Sequence, residues 1–328
     1  MSYKTTDGLM RHLRENGIAI SGGTQKRQLI NTGYFHGYKG YRFFRHAGTG
    51  NRLPFTSYSE IYATIRYDSA LKALMYGKVM FIETAVKNIA IEAILAHARS
   101  ESIQAMYDRV VSGYHNAPTG ADAEKKRKLQ QAKLNLQNSI QSALAKEYHR
   151  RNPKVTHFYD NANHTGVPVW ALFEIMTMGD FGFLLSCLTY DVRDDISRRI
   201  GFNLACDTDR QLVYKYIYML KDLRNAIAHN AVVFDTRFRS VDPNRAVKRC
   251  LRQEIGLPYV NFRTFGDYFI LVCYYLKILH VSKTEIKAFI REFEKITEDY
   301  VKSVDAAVAA RVIHQDLSAR MMLLKGYI

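Results

Sequence analysis

Between Leu71 and Ala93 the apolar positions fall at Leu71, Met75, Val79, Ile82, Val86, Ile89 and Ala93, in steps of four, four, three, four, three and four. Such steps keep side chains on one side of a 3.6-residue helix, so the stretch from Ser57 onward predicts one long amphipathic helix. Glu83 and Lys87 stand one turn apart beside the stripe and are expected to pair. Asn116 to Gly120 (NAPTG) has loop composition, and a helical pattern resumes from Ala121 through Arg151. Residues 152–167, rich in Asn, His, Thr, Gly and Pro, read as a loop. Pro168 suits the first turn of a helix carrying Val169, Trp170, Phe173 and Met176, with Trp170 read as a core residue rather than a stacking platform. Gly179 and Asp180 read as a stop and a fresh N-cap before FGFLLSCL. The next long helix is expected to begin near Asp207 and to run to the neighbourhood of His229. After a loop near 235–243, three more helices are predicted at about 244–254, 264–281 and 283–325, the last broken near Ser303 and opened by the capping box Ser282 to Glu285. Only short pairings near Ala231–Arg239 or Tyr41–Arg45 suggest strand, so the expected class is all-α.

Composition narrows the picture. Of 328 residues, 47% are hydrophobic and 24% charged, which excludes general disorder and allows one large domain or two smaller ones. The expected organisation is a basic aromatic segment (residues 1–56) packed on the body, a helical core (57–240) and further helices of the same body (241–328). Four cysteines are scattered without a C-x-x-C and read as buried reduced thiols. The first twenty residues have no apolar core of a secretory signal. The longest apolar run, Tyr268 to Leu276, is far short of the roughly 20 residues a membrane span needs. The expectation is a cytoplasmic protein with no membrane partner.

Charge is the strongest compositional signal. Lys and Arg number 47 against 31 Asp and Glu, a net +16, and the usual partner of such a surplus is a polyanion. Residues 1–56 carry nine bases against Asp7 and Glu15, and their bases alternate with aromatics through NTGYFHGYKGYRFFRHAGTGNR. Lys39, Tyr41, Arg42 and Arg45 are candidate RNA contacts, since aromatics stack on bases while cations hold phosphates. The competing reading is an aromatic plug on the main body. Residues 121–154 hold nine bases against three acids. There Lys125, Lys126, Arg127 and Lys128 form either a phosphate-tracking face or a solvated helix face.

Several catalytic signatures are absent, among them G-x-S-x-G, H-E-x-x-H and G-x-x-x-x-G-K-[ST]. Gly48-Thr49-Gly50 lacks the predicted strand and helix that a dinucleotide loop requires. No metal or cofactor is called for. The stretch Lys221 to Asn230 (KDLRNAIAHN) stands out, because it sets Arg224, Asn225 and His229 at the end of an otherwise apolar helix. Asn225 and His229 share a face, so the amide is placed to orient the imidazole. Arg224 and His229, five apart, lie about 140° from each other around a straight helix. They meet one substrate only if the helix ends before His229 or if two copies bring two Arg and two His together. Such a set suits RNA cleavage without metal. His exchanges protons near neutral pH between the ribose 2′-OH and the leaving 5′-oxygen, and Arg clamps the phosphate. The plainer alternative is a structural Arg and a helix-capping His.

The string RNAIAHN resembles the R-N-x-x-x-H signature of HEPN domains. Its surroundings resemble the Abi-2 family of bacterial abortive-infection proteins. LINTGYFHGYKGYRFF is similar to that family's early I-N-Y-Y-R-L-x-G-Y segment, and FTSYSEIYATIRYDSALKALMYGKVMFIETAVKNIAI to its long helix with an acidic residue, here Glu83. VPVWALFEIMTMGDFGFLLSCL is similar to its Pro-x-Trp…Glu…Gly segment, here Pro168, Trp170, Glu174 and Gly179. The resemblance implies a HEPN-type helical bundle, often paired, with Arg224 and His229 as catalytic couple, Asn225 as support, and Glu83 and Glu174 as possible supports of Arg224. It also implies a metal-independent endoribonuclease used as a toxin in phage defence and, in some relatives, restrained by a small RNA. The rival expectations are a non-catalytic RNA-binding module and, further off, a protein-scaffolding bundle.

Overall fold

The computed structural model describes residues 5–45, 50–161, 163, 166–240, 242–243 and 245–328, and every regular element among them is helical. His46 to Thr49 of the basic aromatic stretch, and Ala162, His164 and Thr165 of the expected 152–167 loop, lie outside the described residues. The helices are α1 (Thr6–Glu15), α2 (Gly22–Thr32), continued as a wide π-helical segment (Gly33–Lys39), α3 (Tyr58–Ala98), α4 (Ile103–Arg109), α5 (Ala123–His149), α6 (Pro153–Asp160), α7 (Val169–Ile175) and α8 (Met178–Cys187). They continue as α9 (Tyr190–Ile200), α10 (Leu212–Ala228), α11 (Arg245–Ile255), α12 (Phe265–Ile278), α13 (Lys283–Lys302), α14 (Ala306–Val312) and α15 (Leu317–Tyr327). The all-α expectation holds. The chain forms two compact units, one of Met1–Val79, Asp222–Asp242 and Leu251–Ile328, the other of Met80–Lys221 and Pro243–Cys250.

In the first unit, α12 is apolar all round, and Phe265 through Leu276 are buried without interruption. The longest apolar run is therefore a core helix; no helix among the described residues is long and apolar enough to cross a membrane. α13 covers α12 through Phe289 and Phe293, whose rings stack on Phe269 at 4.8 and 4.0 Å. Half of the predicted capping box forms, Ser282 Oγ accepting from the Glu285 N–H at 3.2 Å while the Glu285 carboxylate pairs with Lys78 instead of reaching back, and the break at Ser303 is present. A second break, between Val312 and Leu317, turns α15 so that Arg320 buries against Asp267 in an ion pair. The stripe of α3 is buried at Leu71, Met75 and Val79 in this unit and at Ile82, Val86 and Ala93 in the second, where Ile89 is half-buried and Ala90 takes its place in the core.

In the second unit, α5 packs on α8 and buries Leu136, Ile140 and Leu144. The expected Glu83–Lys87 pair forms at 3.0 Å. Three boundaries differ from the sequence reading. α10 begins at Leu212 rather than near Asp207, whose carboxylate accepts from the Gln211 and Leu212 N–H groups at 2.8 and 3.0 Å. Residues 153–160 are helical, because Asn152 caps the Lys154 N–H at 3.1 Å, Pro153 starts the first turn, and Val155 and Phe158 reach the core. The cap of α8 is Thr177 rather than Asp180: its hydroxyl oxygen accepts from the Asp180 N–H at 3.2 Å, and Gly179 lies inside the first turn. All four cysteines are free and buried.

Candidate active site at the end of helix α10

α10 buries Leu220, Leu223 and Ala226 and leaves Arg224 and Asn225 part-exposed on its flank. The helix ends at Ala228, and its termination is a Schellman motif: the Ala231 N–H reaches the Ala226 carbonyl at 2.8 Å and the Asn230 N–H reaches the Ile227 carbonyl at 3.2 Å. Asn230 occupies the left-handed position, with φ 51°. Asparagine is the best residue after glycine for that backbone, and its side chain adds a tether, Oδ1 accepting from Lys72 Nζ at 2.6 Å.

That tether belongs to a buried polar cluster. Asp68 is fully buried and ion-paired with Lys72 at 2.8 Å, one turn along α3. Its other contacts come from the chain beyond α10, where the Val233 and Phe234 N–H groups donate to Oδ1 at 2.7 and 2.8 Å. The Tyr41 hydroxyl donates to Oδ2 at 2.8 Å. Lys72 also donates to the Ala231 carbonyl at 3.2 Å. A buried carboxylate with this many donors is satisfied, and removal of any partner leaves a charge or dipole without water. Burial, then the Asp68 carboxylate, push the Tyr41 phenol up and keep it protonated as the donor. A second clamp follows in sequence. Buried Asp235 holds the Arg237 guanidinium, which donates to the Gly40 and Phe43 carbonyls at 2.6 and 3.0 Å and lies 4.3 Å over the Phe43 ring.

These contacts decide between the two readings of part of the N-terminal segment. Tyr41 is 1% exposed and stacks on Phe234 at 5.8 Å, so it is a core residue with no face to offer a base, contrary to its placement among RNA contacts. Arg45 is exposed, but one guanidinium nitrogen donates to the Arg237 and Arg239 carbonyls. Arg42 lies over the Tyr38 ring at 5.9 Å, and Lys39 lies near the rings of Tyr34 and Phe35. On α5, Lys125 and Arg127 are exposed, Lys128 pairs with Glu124 at 2.6 Å, and Lys126 lies over Tyr114 at 6.0 Å.

Of the predicted catalytic set, Arg224 Nη1 donates to Asn225 Oδ1 at 3.2 Å. The amide thus positions the guanidinium rather than the imidazole. His229 is exposed, and its N–H still bonds the Asn225 carbonyl at 2.9 Å, so it continues the helical register although α10 has ended. In one copy Arg224 and His229 therefore stay about 140° apart around the axis. Glu174 is exposed and pairs with Lys154 at 2.6 Å, while Glu83 is buried on Lys87. Among the described residues no group of three or more His, Cys, Asp or Glu is placed to hold a metal ion.

Asp68, Lys72, Asn230, Asp235 and Arg237 are the residues that sequence reasoning passed over. Asp68 had a readable signal, for it stands three and seven positions before Leu71 and Met75, in phase with the apolar stripe. A carboxylate in such phase is buried with partners.

Neither a curated protein nor a solved structure matches this chain significantly. The pattern of the Abi-like protein family matches residues 27–235, a span that runs from α2 through Asp68, Lys72 and α10 to Asp235. The chain belongs to the Abi-2 family of Abi-like, abortive-infection proteins.

Proposed function

We propose that the protein is a HEPN-type, metal-independent endoribonuclease that acts in the cytoplasm as the toxin of an abortive-infection system. His229 takes the proton from the ribose 2′-OH as it attacks phosphorus and a His229 imidazolium gives a proton to the 5′-oxygen as its bond to phosphorus breaks, while Arg224 binds the phosphate and stabilises the charge of the phosphorane. Asn225 positions Arg224. The observation that carries this reading is the construction of the end of α10. Arg224 and His229 flank a helix terminus that a Schellman turn, Lys72 and Asp68 hold rigid, and an exposed imidazole stands at its tip. The 140° between Arg224 and His229 favours a site built from two copies, each supplying an Arg and a His. Family membership supports the defence role, and a net charge of +16 supports RNA as substrate and as regulatory partner.

The test is incubation of wild type and His229→Ala with total cellular RNA in EDTA, with the new ends mapped. Cleavage by wild type alone, leaving 2′,3′-cyclic phosphate and 5′-OH ends, is the expected result. Ends bearing 3′-OH, or activity lost to the chelator, would sink the mechanism. Tight, salt-sensitive retention of RNA by both proteins without cleavage would favour the non-catalytic RNA-binding module.

A further inference from the structure

The second unit contains a cavity of about 570 Å³ that the catalytic reading does not use. Its walls include Trp170, Phe158, Tyr159, Tyr107, Gln104 and Gln141. That volume lies within the range of small-ligand sites.

Trp170, expected in the core, is 43% exposed. Its orientation is nevertheless fixed. Indole Nε1 donates to Glu101 Oε2 at 3.0 Å, and Phe158 packs edge-on at 5.5 Å and 79°. The backbone beside it is tied down too, the Val169 N–H donating to the Glu101 carbonyl at 2.8 Å. Tyr159 is 49% exposed, its ring edge-on to Tyr148 at 5.6 Å. Tyr107, at the cavity wall, is 3% exposed, and its hydroxyl has no hydrogen-bond partner among the described residues. Buried hydroxyls are rarely left so, because the missing bond is costly. Burial pushes this phenol up, so it stays protonated and able to donate.

The described lining contains no Lys, Arg or His. Among the described lining residues a phosphate would meet no cation, and it would face Glu101. The walls suit a flat, neutral group with hydrogen-bonding edges: an aromatic face for stacking, and for the edge a phenol, the carboxamides of Gln141 and Asn163 and the amide oxygen of Gln104, whose nitrogen is held by Asp108. In a protein of charge +16 whose α5 displays Lys125 and Arg127 in this same unit, the flat group most readily delivered is the base of a nucleotide.

We infer that this cavity binds a single unstacked nucleobase, its ring on the indole of Trp170 and its edge against Gln104, Gln141 and Tyr107. The base reaches it on a free nucleotide or within single-stranded RNA; only the second source rests on the proposed RNA function.

Trp170 is the only tryptophan of the chain, so its fluorescence reports the site alone. The full-length His229→Ala protein, which keeps RNA intact, is titrated with AMP, GMP, CMP and UMP, with a short single-stranded RNA, and with ribose 5-phosphate. The expected result is saturable quenching by a base-bearing ligand and none by ribose 5-phosphate. Tyr107→Phe, which removes only the hydroxyl, should weaken binding about fivefold. Quenching by mononucleotides assigns a free-nucleotide site, and quenching by RNA alone assigns a flipped base of a strand. Absence of quenching by every base-bearing ligand, equal quenching by ribose 5-phosphate, or unchanged affinity in a folded Tyr107→Phe protein overturns the inference. These outcomes are independent of whether wild type cleaves RNA, so the two proposals fail separately.

Discussion

Asn230 serves two requirements with one side chain. Its backbone takes the left-handed turn that ends α10, and its amide oxygen accepts from Lys72. Asn230→Gly keeps the turn and loses the tether, whereas Asn230→Ala loses both. Urea unfolding should show Asn230→Ala destabilised by about 1–2 kcal/mol and Asn230→Gly by less. Asp68 is the more demanding position. Asp68→Ala takes the counter-charge from the Lys72 ammonium, which keeps only neutral acceptors, and leaves the Val233 and Phe234 N–H groups without an acceptor, a loss of about 3–5 kcal/mol by the same measurement. Tyr41→Phe should cost about 1 kcal/mol and leave RNA affinity unchanged, which separates its packing role from a stacking one. At this scale the sequence was half legible. RNAIAHN does lie at the end of α10, and the spacing of Arg224 and His229 already carried the geometric difficulty that persists in the fold. Composition alone, however, does not distinguish an aromatic that packs from one that is displayed. For that reason Tyr41 stayed open between plug and RNA contact until its burial decided for the plug, and Trp170 was read as core although it is half exposed.

Among elements, α3 depends on its first turn. Burial alone would raise the Glu60 carboxyl, but hydrogen bonds from the Thr56, Asp305 and Ser57 N–H groups and the Thr56 hydroxyl outweigh it and hold it below its ordinary value. These bonds join the start of α3 to the start of α14 at 2.8 to 3.0 Å. A carboxyl depressed by folding contributes stability that is fully present above its unfolded value and is lost as pH falls through the folded one. The stability gap between wild type and Glu60→Gln should therefore be constant near neutrality and close below about pH 4. Chemical denaturation across that range is the measurement. Long helices were visible in the sequence, α3 through its periodic stripe, α12 as an unbroken apolar run and α13 through its N-terminal cap. α6 and α9 did not, because eight to eleven residues give few turns over which a pattern can repeat. In α6 the local signal was a cap and a proline inside a segment whose polar composition suggested loop. α9 is mostly charged, with four buried positions.

For the molecule as a whole, charge is the property most open to measurement. Association through neutralised phosphates releases counterions, so RNA retention should fall steeply as salt rises. Lys125 and Arg127 are exposed on α5. Reversing both to Glu should weaken RNA binding and lower the slope of log affinity against log salt by about 1–2. A filter-binding series in potassium chloride reads this directly, and an unchanged slope would return that helix face to simple solvation. The class and the placement of charge could be read from sequence. The division into two units could not, because each unit gathers segments distant along the chain.

That distance has a consequence for synthesis. Asp68 reaches Val233 and Phe234 across 165 and 166 positions, and Arg237 reaches back 197 to Gly40. While a ribosome is still short of those codons, Asp68 and Lys72 have no distant partners, and the turn that fixes the end of α10 does not exist. Translation interrupted there releases a polypeptide with unsatisfied charges in its incipient core, a substrate for proteases rather than a partly working protein. The end of α10 is therefore completed late, only when segments far apart along the chain have met.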